Sequence, residues 1–267
     1  MKLSASLGLI SDLRAAFCVA TLPTLKAICR EPSLIIRPTA LSRTFMAVVW
    51  DAFAAPTDKS ARPTKLALIS PYARGAVLDI GAGHGHSVDY FDRRTVTAYI
   101  ALEPNARMHP AIRTRATEAG FKEADGTLLI IGGGAEDTVG IRKQIDGAGL
   151  QVDTMLSILT LCSVPDPQTK IARLVSDLLV PGGQLLFYEH VLSPRADVAW
   201  WQRFWSPVWR TVFDGCCLER PTHRWIEELQ DQDGETIWSE QGVWGKEGEP
   251  EEHLFWHRCG RFVRRSL

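Results

Sequence analysis

From residue 75 onward, short apolar runs of strand length alternate with helical stretches, the pattern of a parallel sheet covered on both faces. The runs predict strands over residues 76–80, 96–102, 127–131, 152–159 and 184–191, and helices at about 87–93, 107–120, 136–145 and 168–179. Residues 235–243 and 254–264 read as two further strands joined through the Gly- and Glu-rich stretch 245–252 with no helix between them, a terminal antiparallel hairpin. Residues 1–70 form a helical lid, clearest as a helix over 41–53, with Pro32, Pro38, Pro56 and Pro63 marking its joints. The expected domains are the lid at 1–70 and an α/β domain at 71–267.

The first strand runs into Gly81-Ala82-Gly83-His84-Gly85-His86. Glycine at alternate positions lets the backbone turn tightly and approach a ligand closely, while the following helix aims free N–H groups at it. A dinucleotide fingerprint is G-x-G-x-x-G; here the third glycine comes one residue early and His86 takes its place. With Asp79 two residues before the first glycine, the stretch resembles the first motif of class I S-adenosylmethionine-dependent methyltransferases. That resemblance makes Asp79, Gly81, Ala82, Gly83, Gly85 and His86 candidate cofactor contacts.

Glu103 closes the second strand, 22 residues after Gly81, where a carboxylate can accept hydrogen bonds from both hydroxyls of a ribose. Pro104 follows it. After the third strand comes Gly132-Gly-Gly-Ala-Glu-Asp137, where methyltransferases commonly present a carboxylate and an N–H to the adenine; Ala135 and Glu136 are the candidates, with Asp137 open as adenine contact or helix cap. Ligands of open α/β sheets sit beyond the carboxyl ends of the strands, so Leu159, Thr160 and Leu161 are expected beside the methionine part of S-adenosylmethionine.

Thirty basic and thirty-one acidic residues leave a net charge of −1, with no global field to draw a polyanion, so nucleic acid is not expected as a partner. Six cysteines show no CxxC pair and no metal-ligand rhythm with the seven histidines; no metal is expected, and free thiols in a reducing, cytoplasmic compartment fit. The apolar stretch 15–25 is flanked by charge and interrupted by Pro23, short of the roughly 20 residues that span a bilayer. It reads as an amphipathic helix that does not span, with peripheral membrane contact as the alternative.

Four further segments carry a narrower resemblance. Leu159-Thr-Leu-Cys-Ser-Val164, Leu179-Val-Pro-Gly-Gly183, Tyr188-Glu-His-Val191 and Phe213-Asp-Gly-Cys-Cys-Leu-Glu-Arg220 are together similar to the methyltransferase-like 7 family of thiol methyltransferases. The similarity covers about residues 76–229. It implies a class I methyltransferase fold, a Rossmann-like sandwich on a seven-stranded, mostly parallel sheet with an antiparallel last strand. It also implies S-adenosylmethionine as donor and a small apolar acceptor, with a thiol as nucleophile.

On the acceptor side, Trp201, Trp205 and Trp209 recur at helical i, i+4 spacing just after the fifth strand and could form an apolar wall beside the substrate. Cys162 would border the transferred methyl, as a small buried hydrophobe rather than a covalent participant. Methyl transfer is an in-line displacement that depends mainly on holding the nucleophile at near-attack distance. A thiol would be pushed toward thiolate by the sulfonium charge, whereas a hydroxyl would need a base, for which His190 and Asp214 are the candidates. Two other classes remain open: a methyltransferase-fold enzyme that keeps its cofactor and isomerises or cyclises a substrate, and an NAD-dependent oxidoreductase.

Overall fold

The computed structural model describes residues 6–266. Seven strands form one sheet: β1 (Gly75–Ile80), β2 (Val96–Leu102), β3 (Leu128–Ile131), β4 (Val152–Ile158), β5 (Leu179–His190), β6 (Trp238–Gly245) and β7 (His257–Arg264), in the order 3-2-1-4-5-7-6. β1 to β5 pair in parallel, and β7 inserts antiparallel between β5 and β6. This is the expected class I methyltransferase sheet with its antiparallel last strand. The chain winds outward from β1 toward β3, then returns to β4 on the other side, so a crevice opens at the carboxyl ends of β1 and β4.

Apolar residues fill both faces because neighbouring positions along a strand point to opposite sides. Val77 and Tyr99 belong to one core, while Leu78 and Ile100 belong to the other. The Val77 face is covered by the second half of α2 (Pro38–Ile69) and by α3 (His109–Glu118). The Leu78 face is covered by α4 (Thr138–Gly147), α5 (Pro167–Leu178) and α7 (Thr222–Glu227). A third core joins α1 (Gly8–Arg30) and the first half of α2 to α6 (Ala196–Val212) and Leu254.

Several local expectations are corrected. The stretch after the glycine loop is a 3-10 turn, His86–Tyr90, rather than a longer helix at 87–93. α2 runs for 32 residues straight through Pro56 and Pro63, so only Pro32 and Pro38 act as joints, each in the first turn of its element. Its interior is locked from the side: Lys65 Nζ donates to Asp58 at 2.7 Å, and the Tyr90 hydroxyl donates to the same carboxylate at 2.9 Å, all three residues buried. The fifth strand begins at Leu179 rather than at 184, with Pro181-Gly182-Gly183 a bulge within it, since Val152 pairs with Leu179 and Thr154 with Gln184. α1 is continuous through Pro23, and its 23 residues are by length and composition long and apolar enough to cross a membrane. It is thus a longer apolar element than residues 15–25 alone predict; one side packs on α2 and α6, and Leu22 and Leu25 on the other are exposed.

Candidate functional site

A cavity of about 500 Å³ occupies the crevice at the carboxyl ends of β1 and β4. Its floor is Ile80 at the end of β1 and Gly81 and Gly83 after it; Glu103 and Pro104 after β2 and Ala135 and Glu136 after β3 form one side, and Leu159 and Thr160 after β4 the other. The two loop glycines have φ of +64° and +56°, a region that side chains resist. A Cβ on Gly81 would meet Thr160 Cγ2 at 2.3 Å, and one on Gly83 would meet the Trp50 indole nitrogen at 2.7 Å.

Glu103 is held by the loop it faces. One carboxylate oxygen accepts from the Gly83 N–H and the other from the Asn105 N–H, both at 2.8 Å. Burial pushes this carboxyl above its ordinary range, opposed by those two N–H groups. The His109 Nε2–H donates to the Glu103 carbonyl at 2.8 Å, which ties α3 to the same corner. Asp137 caps α4, accepting from the Gly140 N–H at 3.0 Å, and so leaves Glu136 as the carboxylate of this segment at the cavity.

The remaining cofactor candidates lie outside the lining. Asp79 is buried beneath the loop, where it accepts from the Tyr99 hydroxyl at 3.0 Å, and burial raises its carboxyl to about 6. Its position makes it a support for the loop. Ala82 is buried and Gly85 turns the chain into the 3-10 segment at φ +76°. The His86 imidazole lies near Asp58 and Asp89, and burial holds it down to about 4. Leu161 is buried in the core behind Thr160.

The acceptor side departs furthest from the sequence reading. Trp201, Trp205 and Trp209 do not line the cavity: the face they share packs toward α1, with the Trp205 Nε1–H donated to the Ser6 carbonyl at 2.9 Å and the Trp209 ring tilted against Phe213, centroids 4.2 Å apart. The wall is built instead by Arg210, Thr211, Phe213, Asp214 and Gly215 at the end of α6, and by Ser42, Arg43, Met46 and Trp50 from the lid. The helix 41–53 was legible in sequence, but nothing in its residues marked which face would meet the sheet. Asp214 is at the cavity with φ +44°, its N–H donated to Ser42 Oγ and its carboxylate 3.8 Å from Arg43 Nε. Burial raises its carboxyl and Arg43 opposes the shift.

Behind this wall three side chains meet that the sequence kept apart. Cys216 Sγ lies 3.5 Å from Cys162 Sγ and 3.3 Å from His190 Nε2. His190 is therefore not at the cavity, although Ser163 and Gly215, chain neighbours of the two cysteines, are. The hydrogen bond from Cys216, with the His190 charge adding to it, holds the Cys162 thiol well below its ordinary range despite burial. Cys162, Cys216 and His190 thus form a thiol–imidazole cluster, against the expectation of no metal-ligand grouping.

Glu189, unassigned in the sequence, fixes the far wall. Its Oε1 accepts from Ser157 Oγ at 2.8 Å and from the Thr160 and Leu161 N–H groups at 3.0 and 3.2 Å. Arg220 completes the clamp by donating to the Leu161 and Val164 carbonyls at 2.8 and 2.7 Å. Leu159 is held at φ +55° between these constraints.

Comparison with known proteins agrees with this architecture. A family model described as a methyltransferase domain matches residues 53–236. Human thiol S-methyltransferase TMT1B is 31% identical over 156 residues, 58% of this chain and 59% of that protein. Human thiol S-methyltransferase TMT1A is 27% identical over 161 residues, 59% of this chain and 60% of that protein, so the matches span about three fifths of these relatives. Among solved structures, an O-methyltransferase family protein from Burkholderia thailandensis has a TM-score of 0.53 at 15% identity, covering 82% of this chain and 60% of that one; it shares the fold.

The Glu189 carboxyl gives a pH signature. Burial, then the nearby Cys162, raises it from 4.5 to about 7, so across that window the native chain keeps a proton that the unfolded chain has lost. Its stabilising contribution is complete below about pH 4.5 and is lost as pH rises through 7, about 3 kcal/mol in all. Glu189→Gln is expected to remove this slope, while Asp79, which slopes the same way, stays in both proteins. Denaturant unfolding of wild type and variant at the two ends of the window measures the difference; equal slopes would show that Glu189 does not titrate there.

Proposed function

Because the chain belongs to the methyltransferase domain family, we propose that it transfers methyl from S-adenosylmethionine to a small, largely apolar acceptor, with a thiol as nucleophile. The observation that carries the donor is the cradle: two glycines at positive φ under a cavity whose wall holds a buried carboxylate aligned by the loop's own N–H. Glu103 would take the ribose hydroxyls and Glu136 would stand beside the adenine, with Asp79 acting through the loop. Leu159 and Thr160 would border the methionine part. The bound donor supplies an activated methyl carbon on a sulfonium.

The acceptor class rests on what closes the other side. Met46, Trp50 and Phe213 offer apolar surface at the cavity, and the lid helix covers the loop and limits water there. A thiol has an unperturbed pKa of about 8.5, and a positive charge beside it favours the thiolate, so no strong base is required. Asp214 is the carboxylate placed to orient the acceptor or to take a proton; His190 acts behind the wall. The thiol reading draws on the thiol S-methyltransferases that the chain resembles. For location we propose the cytoplasm, which the free thiols fit, with the exposed apolar side of α1 against a membrane surface.

Glu103→Ala removes charge-assisted hydrogen bonds to the ribose worth about 1.5–3 kcal/mol, so S-adenosylhomocysteine affinity is expected to fall roughly 10- to 150-fold. Calorimetry reads this directly, and an unchanged dissociation constant would end the ribose assignment.

Incubation with labelled S-adenosylmethionine and a panel of thiols, phenols and amines, scored by mass, tests the reaction. A gain of one methyl on thiols is expected, and Asp214→Asn is expected to slow them only modestly. A phenol that depends on Asp214 as base would lose about 10²- to 10⁴-fold instead. Products of unchanged mass would support isomerisation, and nicotinamide binding an oxidoreductase.

The membrane contact predicts that the full chain floats with phospholipid vesicles in a density gradient, and that Leu22→Asp weakens flotation. Recovery of the wild-type chain wholly in the bottom fractions would exclude it.

A further inference from the structure

We propose that Cys162, His190 and Cys216 form a binding site for a Zn²⁺ ion, a Cys2His set immediately behind the wall of the cavity. The three donors come from three separate elements: the loop after β4, the last residue of β5 and the loop after α6. All three donor atoms lie within 4.8 Å of one another. Bond lengths in tetrahedral zinc sites place two thiolates ~3.8 Å apart and a thiolate ~3.5 Å from an imidazole nitrogen. The separations here, 3.5 and 3.3 Å, are near those values, so an ion needs only a small outward adjustment of the side chains.

The surroundings fit the same reading. Cys162 and His190 are buried, and thiolate with imidazole is a donor set that suits zinc and disfavours magnesium or calcium. Coordination through Nε2 would place the His190 proton on Nδ1, which has no partner among the described residues and would be left without a protein acceptor. The backbone around the cluster is already braced: the Cys217 N–H donates to the Cys162 carbonyl at 3.0 Å, and Arg220 holds Leu161 and Val164. An ion would add a direct link between the two loops that present Ser163 and Gly215 to the cavity. Three protein ligands leave one tetrahedral position, which water or an external thiolate can take.

Cobalt reports such a site without reliance on enzyme activity. The reduced, chelator-treated full chain is titrated with Co²⁺ and followed by absorption, then challenged with Zn²⁺. The expected result is saturation at one equivalent, with the visible bands of tetrahedral cobalt and a thiolate-to-cobalt charge-transfer band, both bleached by Zn²⁺. Cys216→Ser and His190→Gln are each expected to weaken binding by at least the ~10- to 100-fold that loss of a supporting partner costs in metal sites. A second grouping, Glu249, His253 and His257, is the internal rival, and Glu249→Gln is expected to leave the spectrum unchanged.

Protection from alkylation gives a readout that needs no variant. Zn²⁺ is expected to slow iodoacetamide modification of Cys216 while the exposed Cys18 and Cys29 react at their former rates, as read by peptide mass. Absence of the charge-transfer band in the fully reduced wild type would overturn the proposal. So would a band that survives in folded Cys216→Ser, one that vanishes in Glu249→Gln, or equal alkylation of Cys216 with and without the ion.

Discussion

Three hydrogen bonds to one buried oxygen of Glu189 decide where β4 stops and how its loop leaves the sheet. A carboxylate in this position binds the Ser157 hydroxyl, still in the strand, together with the N–H groups of Thr160 and Leu161, already in the turn. Leu159 between them must take a left-handed backbone, which a residue with a Cβ rarely adopts. The far wall of the cavity follows from that one turn: Thr160 is carried over Gly81, close enough to forbid any side chain there. The glycine requirement of the first loop is therefore set as much by the neighbouring strand as by a ligand.

The lid belongs to the same set of constraints. Trp50 stands over Gly83, and His84 of the loop meets Asp51 of α2 at 3.2 Å, so the first half of α2 is fastened to the glycine loop at two adjacent points. Further along, the buried Asp58–Lys65–Tyr90 group fixes the second half of α2 to the sheet. A helix pinned at both ends cannot swing as a free flap. Widening of the cavity must come from side chains such as Trp50 and Met46 or from a shift at the α1–α6 contact, where fewer polar groups hold the pieces together.

The sheet was legible because strands buried on both faces are continuous apolar runs with sharp polar ends; β2 has the bounds its residues predict. The glycine loop and Glu103 were legible for a related reason, since backbone demands leave few residue choices. The lid and the acceptor side were not. A proline within a long helix costs local hydrogen bonds that packing on Phe45, Val49 and Leu68 can offset, so Pro56 and Pro63 gave a false break. The row of indoles had clear helical spacing, but spacing specifies a shared face and not what covers that face, and here α1 does.

The thiol–imidazole cluster was invisible for a different reason. Metal-ligand motifs are readable when two donors share one turn or helix; Cys162, His190 and Cys216 sit one on each of three elements, brought together by the parallel pairing of β4 with β5 and by the return of the chain from α6. That origin explains why the cluster lies against the cavity rather than elsewhere. Strand ends in this fold converge on the ligand crevice, so any reactive residues placed just past them are gathered there by topology alone. A chain that already needs Glu189 and Arg220 to hold the β4 loop has a natural place for a third tie beside them. Whether two thiols and an imidazole meet there as a bare polar cluster or as ligands of one ion then determines how rigid the wall facing the acceptor is. A coordinated ion would fix Ser163 and Gly215 together, whereas a bare cluster leaves the two loops joined by the Cys217–Cys162 backbone hydrogen bond.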